Sequence, residues 1–405
     1  MRKIVALLTI CSPLLIQAQG FQVSLQGQKQ QAMAGAGTAL MADGASLFYN
    51  PGGVSFLKKN SFSIGVTPVI SHAKYADESS ATVSQTNSPA SFPFTAYMVF
   101  GRPASRLKYG VAVYTPFGSA IEWEKGWTGR FAVTRSELTT IYFQPTVSYK
   151  ISEKVGIGAG FVYGYGKVNF ERDIPITDNK GDYSSAKLEG TGNGFGFNAG
   201  IYYKSSERVS FGLTYRSEVK MNLDKGKATF TVPATLASSF PSGNFTASVP
   251  MPQIITFGTA LKPCNNLTFV FDASMIGWKS FDTLAFDYET NTSELPDTKS
   301  PRNYKNAFSY RLGAEYSINK KIDARTGIKL LVSPIQDGYV TPEVPDATHV
   351  NYSAGLGYNM GRGMNIDLSF TFQSMKRKDT NIETQMSGTY KTYIFMPGIS
   401  FNYNF

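Results

Sequence analysis

The feature that most restricts this chain is a two-residue alternation that recurs in segment after segment. Across residues 209–223 the odd positions carry Val209, Phe211, Leu213, Tyr215, Val219, Met221 and Leu223, with Ser217 as the exception. The even positions carry Ser210, Gly212, Thr214, Arg216, Glu218, Lys220 and Asn222. Ile322, Ala324, Thr326, Ile328, Leu330 and Val332 alternate with Asp323, Arg325, Gly327 and Lys329. Ile366, Leu368, Phe370 and Phe372 alternate in the same way with Asn365, Asp367, Ser369, Thr371 and Gln373. A period of two sends successive side chains to opposite faces of a strand, so each run has one apolar and one polar face. The longer runs reach or exceed the about 9–11 residues that a tilted strand needs to cross a bilayer.

The connections sharpen that reading. Short ones fall near residues 102–106, 151–154, 204–208, 262–266, 319–321 and 360–363. Long ones fall near 71–92, 115–137, 172–186, 226–250, 281–306, 333–349 and 376–383. Long and short alternate along the chain, which implies about fourteen strands with both ends on the short-turn side, as outer-membrane barrels require. A secreted sandwich or propeller has no reason to show this asymmetry. The expected fold is therefore all-β, an antiparallel transmembrane β-barrel of about 14 strands over residues 59–405. Ile399, Phe401, Tyr403 and Phe405 alternate with Ser400, Asn402 and Asn404. A closing strand that ends on an aromatic resembles the sorting signal of bacterial outer-membrane barrels.

Composition agrees. Of the 405 residues only 17% are charged while 14% are aromatic, and there are 38 glycines. That balance suits strands facing lipid on one side and a crowded lumen on the other. The formal net charge is +10, but the basic residues are scattered, which argues against a nucleic-acid partner. Residues 1–19 read as a secretory signal peptide, with Arg2 and Lys3 before the apolar run from Ile4 to Ile16 and Ala18 at the expected cleavage site. Beyond them, Cys264 is the one cysteine, so no internal disulfide is expected. The expected location is the bacterial outer membrane, integral, with both termini in the periplasm.

Residues 20–58 fit neither period. They are rich in Ala, Gly and Gln, carry only Lys29 and Asp43 as charges up to residue 57, and include the helix-breaking Asn50-Pro51-Gly52-Gly53. A barrel of about fourteen strands is too wide for its own side chains to fill. These residues are expected to form a hatch, a compact plug inside the lumen. Gly156, Gly158, Gly160, Gly164 and Gly166 alternate along one face and would let such a plug approach the wall closely.

The chain resembles the FadL/TodX group of outer-membrane transporters for long-chain fatty acids and other hydrophobic compounds, over essentially all of its mature length. The resemblance rests on Gly20-Phe21-Gln22, Ala34-Gly35-Ala36-Gly37, Asp43-Gly44-Ala45 and Asn50-Pro51-Gly52, where Gly52 replaces the alanine of the family's hatch motif. It continues through 194–200 (GFGFNAG), 214–220 (TYRSEVK), 277–281 (GWKSF), Ser333-Pro334, Pro345-Asp346 and the terminal 401–405 (FNYNF). The replacement of alanine by Gly52 is expected to loosen the hatch. The resemblance implies a kink in the third strand, for which Pro116, Phe117 and Gly118 are the candidates, and a lateral gap beside it. It also implies a cation for a ligand carboxylate, with Arg172, Lys299 and Arg302 as candidates. Phe117, Trp123, Trp127 and Phe131 are candidates for capturing an apolar ligand on external loops. The implied activity is passive uptake of a hydrophobic small molecule, with release sideways into outer-membrane lipid. Aromatic hydrocarbons, or a receptor or porin role on the same barrel, remain alternatives. His72 and His349, the only histidines, sit in no catalytic motif, so no enzyme activity is expected. Nor are a cofactor or metal, and the barrel is expected to be a monomer.

Overall fold

The computed structural model describes residues 20–102 and 105–405; the signal peptide expected over residues 1–19 lies outside them. Among the described residues fourteen strands form one closed antiparallel ring. In chain order they are β1 (Ser61–Val66 and Ile70–Asp77), β2 (Val83–Gln85 and Phe94–Phe100), β3 (Leu107–Tyr114 and Gly118–Glu122), β4 (Arg135–Lys150) and β5 (Val155–Thr177). There follow β6 (Tyr183–Lys204), β7 (Val209–Arg216 and Val219–Thr231), β8 (Gly243–Met251 and Ile254–Cys264), β9 (Leu267–Ile276 and Thr283–Tyr288) and β10 (Thr298–Pro301 and Ala307–Ser317). The last four are β11 (Ile322–Leu331), β12 (His349–Gly361), β13 (Met364–Thr380) and β14 (Ser387–Asn404). Each pairs with its neighbour in sequence, and β14 returns to β1, with Ser61 opposite Asn404 and Val66 opposite Ile399. Closure leaves no free sheet edge, which the interior of a bilayer demands.

The alternation sorts side chains by height as well as by face. Phe143 and Val147 of β4, Ile157 and Phe161 of β5, and Phe197 and Ile201 of β6 are exposed on the outer surface, an apolar band. Between them Gln144, Ser148 and Asn198 are buried on the inner face. Strand continues into most of the long connections. β5 and β6 run for 23 and 22 residues and leave only a tight turn at 178–182 where a loop over 172–186 was expected. The strands outgrow the membrane because the two sheet faces there still have partners. Apolar side chains pack inward and charges face water.

Residues 20–57 lie inside the ring. Their only regular pieces are short helical turns at Gln28–Gln31, Ser46–Tyr49 and Pro51–Phe56. The segment is bonded to the wall on every side. Ser55 N–H donates to Ser148 Oγ of β4 at 2.9 Å, and the Asn50 amide donates to the Ile201 carbonyl of β6 at 3.0 Å. On the far side Gly37 and Thr38 N–H donate to Asp272 of β9, Lys29 pairs with Glu315 of β10, and the Gln31 amide donates to the Met396 carbonyl of β14. Contacts with opposite walls are possible only from within the lumen.

Candidate functional site

The site is built where β3 breaks. Tyr114 lies opposite Tyr142 of β4, but the next ladder pair joins Gly118 to Thr139, so β3 spends four residues where β4 spends three. The extra residue is a bulge that turns the backbone inward. Pro116 enforces it, since it has no N–H to give a neighbouring strand. The N-terminal segment takes up the freed groups. Val23 N–H donates to the Pro116 carbonyl at 3.0 Å and Gly118 N–H donates to the Phe21 carbonyl at 2.9 Å. The tip thus pairs with the kink as a short inner strand, with Gln22 opposite Phe117.

The kink withdraws β3 from β2. Their ladder ends at Thr95 opposite Tyr114, and the next bridge joins Thr86 to Trp123. Between those points residues 88–94 and 115–121 share no ladder pair among the described residues. A cavity of about 450 Å³ lies at this gap. Its lining includes Leu25, Gln31 and Ala34 of the inner segment, and also Phe92, Phe94, Thr139 and Ile141 from the wall at the gap. Phe92 and Phe94 are exposed to the surroundings of the barrel, so the cavity reaches the wall on its membrane side.

A second, smaller cavity of about 100 Å³ lies among Phe170, Leu188, Leu223, Val249, Leu284 and Phe286. Phe21 lines both cavities. It is held by aromatic rings on three sides: Trp278 at 4.6 Å between ring centroids, Phe281 at 5.5 Å and Phe117 at 6.3 Å, all edge-on. Gly20 N–H donates to Asp346 Oδ2 at 2.9 Å, and the Ser333 hydroxyl donates to the same oxygen at 2.9 Å. Burial pushes the Asp346 carboxyl up to about 7.

The residues expected from sequence meet different fates. Asn50 is fully buried and does three jobs: its amide donates to the Thr38 and Ile201 carbonyls, and its Oδ1 accepts from Gly52 N–H at 2.9 Å. Pro51 opens the turn that follows, and its carbonyl presses on Gly158 of β5. Gly52 does not loosen the segment. A Cβ there would strike the carbonyls of Gly200 and Gly156, so glycine is what the close approach requires. Gly156 and Gly158 are the matching flat places in the wall, while Gly164 and Gly166 face Tyr142 and Met221 instead.

The external capture surface expected from Phe117, Trp123 and Trp127 is not exposed. Phe117 is 1% exposed and belongs to the cage around Phe21. Trp123 and Trp127 are buried and stacked on one another at 4.2 Å. Their indole N–H groups donate to the Pro342 and Val133 carbonyls. Burial of an aromatic ring and satisfaction of its one donor explain both residues as the core of the loop over β3 and β4. Phe131 is half-buried, edge-on to Tyr183, with the Arg130 guanidinium over its ring.

The three candidate cations do not converge. Arg172 is exposed on the extension of β5 and Lys299 is exposed on β10. Arg302 is buried and lines the smaller cavity, but it is already paired with Glu343 at 2.8 Å. Sequence reasoning overlooked Phe21 and Asp346 as site residues, although both fall within the motifs Gly20-Phe21-Gln22 and Pro345-Asp346.

Comparison with known proteins accords with this architecture. The profile described as outer membrane protein transport protein (OMPP1/FadL/TodX) matches residues 10–405. The chain is 24% identical to the long-chain fatty acid transport protein of Escherichia coli O6:H1, covering 95% of this chain and 94% of that one. It is 24% identical to the 47 kDa outer membrane protein of Pasteurella multocida, covering 96% and 94%. Among solved structures it is similar to a Pseudomonas aeruginosa FadL homologue, with a TM-score of 0.83 at 18% identity over 96% of this chain and all (100%) of that one. It is also similar to the Pseudomonas putida toluene transporter TodX, with a TM-score of 0.73 at 16% identity over 96% and 99%. At these identities the structural likeness speaks for the fold.

Proposed function

The chain belongs to the outer membrane transport proteins of the OMPP1/FadL/TodX family, which take up hydrophobic compounds, and from that premise we propose that it carries long-chain fatty acids passively into the outer membrane by hatch-gated lateral diffusion. The short turns and both ends of the barrel wall, where Asn60 and Phe405 exchange backbone hydrogen bonds, face the periplasm in this reading. A ligand enters from the side of the long hairpins and occupies the smaller cavity. It then passes Phe21 into the larger one and leaves through the gap between β2 and β3.

The position of Phe21 carries the proposal. It stands between the two cavities, and the backbone around it is what fills the place of a strand partner at the kink. A shift of residues 20–23 therefore joins the cavities and unblocks the gap in one movement. The lateral route has a physical advantage. Each CH₂ kept from water is worth about 0.8 kcal/mol, so a long alkyl chain that passes from an apolar cavity to lipid avoids a barrier that a water-filled pore would impose.

The test is uptake of labelled oleate and of a labelled neutral hydrocarbon by cells lacking this protein. The cells carry either the wild type or the Asn50→Ala/Pro51→Ala double variant. The proposal expects oleate uptake with the wild type and a severalfold change in the variant at equal barrel content. Uptake of the hydrocarbon alone would refute the fatty-acid assignment, and equal uptake by both forms would refute gating by the segment.

A further inference from the structure

The outer face of the wall carries a row of charges that the uptake route does not use. Lys74 of β1 stands directly opposite Lys391 of β14, and Lys391 stands directly opposite Lys376 of β13. Three lysines thus form one row across three neighbouring strands, and all three are exposed. By the two-residue alternation they share a face with Ile70 of β1, Ile399 of β14 and Phe370 of β13, which are exposed on the lipid side. One rung below the lysines stand His72, Tyr393 and Ser374, and one rung below those stand Ile70, Phe395 and Phe372. Lys391 Nζ lies 5.1 Å from the centre of the Tyr393 ring, and tyrosine is an amphipathic aromatic of the kind that settles at a membrane interface. The lysine row therefore sits just above the apolar band, on the side of the long hairpins.

Like charges placed directly opposite on neighbouring strands repel one another. The acids of the hairpins above the row are engaged elsewhere. Glu78 pairs with Lys378, Asp77 accepts from Ser79 and Ser80, Asp379 accepts from the Gly338 and Val340 N–H groups, and Glu383 accepts from Ser300. On its other side Lys74 is opposite Gln85 of β2, which is neutral. The wall from β4 to β6 is built differently. There Arg135 stands opposite Glu171, which stands opposite Lys187, and Arg135 and Lys187 each pair with a glutamate at 2.7 and 2.8 Å. An anion that reaches the lysine row from outside relieves its repulsion with charge-assisted hydrogen bonds. The row spans two inter-strand spacings, roughly 10 Å, which is wide enough for a head group with more than one phosphate. The continuous apolar strip beneath it fits the acyl chains of the same molecule.

We propose that Lys74, Lys376 and Lys391 form a binding site on the outside of the barrel for a membrane lipid with a phosphorylated head group. The phosphates lie along the lysine row, and the acyl chains run down over Ile70, Phe372 and Phe395. With the short turns toward the periplasm, as in the proposed reading, this lipid belongs to the outer leaflet. The site does not depend on what the barrel carries. It lies on the lipid side of β13, β14 and β1, next to β2, so the bound lipid is a neighbour of the gap between β2 and β3.

The experiment is native mass spectrometry of the purified protein in detergent, titrated with diphosphoryl lipid A, monophosphoryl lipid A or phosphatidylethanolamine. Wild type is compared with the Lys74→Gln/Lys376→Gln/Lys391→Gln variant at equal strand content by circular dichroism. Lys376→Gln/Lys391→Gln takes its place if the triple variant does not fold. The control is Lys167→Gln/Lys187→Gln/Lys227→Gln, which removes the same charge from the wall of β5 to β7. Loss of several charge-assisted contacts predicts binding of diphosphoryl lipid A weakened about tenfold or more in the row variant. The control should bind as wild type does, and the order in wild type should be diphosphoryl, monophosphoryl, phosphatidylethanolamine. Equal binding by wild type and row variant would overturn the assignment, as would an equal loss in the control. Displacement of the lipid by excess inorganic phosphate would show a site for free phosphate and overturn the lipid as occupant. Orientation is read separately, by labelling Ser79→Cys on intact cells with an impermeant maleimide in a Cys264→Ser background. Labelling supports the outer leaflet. Lysine-dependent binding without labelling would refute the orientation and the outer-leaflet assignment with it, leaving the cargo reading to its own uptake test.

Discussion

Asp346 and Trp278 hold the tip of the N-terminal segment from two sides. Gly20, with φ of +63°, leaves no room for a Cβ against the Trp278 ring, and its N–H is committed to Asp346. The Asp346 carboxyl has its pKa raised by burial from 3.8 to about 7 in the docked state. The docked state therefore binds a proton more tightly than a released state with an ordinary carboxyl. It follows that this contribution to docking is fully present below about pH 4, falls as pH rises toward about 7, and is flat beyond. Trp278 reports it directly, because Trp123 and Trp127 are the only other tryptophans and can be replaced by Phe. Iodide quenching of Trp278 should increase between pH 4 and 7, and Asp346→Asn should remove the slope. A flat profile in the parent, or the same slope in Asp346→Asn, would sink this account of the tip. Asp346 could be singled out by motif, but its burial depends on the fold of the 332–348 connection, which no local pattern encodes.

At the scale of elements, a charge cluster ties the segment to the wall near the short turns. Lys29 pairs with Glu315 of β10 at 2.9 Å, Glu315 also holds Arg325 of β11 at 2.6 Å, and Arg325 reaches Asp367 of β13, which accepts from the Asn402 amide of β14. Lys29→Met breaks the only link in this cluster that comes from the segment. For a partly buried pair the cost to docking should be of order 1–3 kcal/mol. Ion conductance in planar bilayers should then rise in frequency of open events, and an unchanged trace would show that these charges do not hold the segment. The cluster's wall residues were readable from alternation, since Asp323, Arg325, Gly327 and Lys329 share one face of β11. β7 shows where such reading stops. Residues 209–223 look like one unbroken alternation, yet Phe211 and Leu213 point to lipid while Val219, Met221 and Leu223 point inward. The switch occurs at Ser217, whose N–H and Oγ both bond to the Phe197 backbone. β7 spends six residues from Arg216 to Asn222 while β6 spends five from Asn198 to Asn193, so one residue is extra. The lone Ser in an apolar row was its trace. The reason for the switch is environmental: lower down the apolar partner is lipid outside, and higher up it is the smaller cavity inside.

At the scale of the molecule, the described residues form a ring that its own side chains do not fill, with residues 20–57 inside it. Strand number, the closing aromatic strand and the inner segment could be read from sequence because each depends on periodicity or its failure. The cavities could not, because they arise where four or more strands and the segment meet. The kink lies between these cases: Pro116 and Gly118 mark a break, but only the register with β4 shows that the break opens the wall. The central claim is that residues 20–23 must leave the kink before a ligand can pass. Gln22 and Phe117 are bridge partners, so cysteines at both positions, with Cys264 replaced by Ser, are placed to form a disulfide across that contact. The measurement is oleate uptake by this variant before and after reduction in the same cells. The account predicts that the oxidised form takes up oleate at least about tenfold more slowly and that reduction restores the rate. Equal uptake in the two states would contradict it, because the ligand would then have a way through that leaves the segment in place.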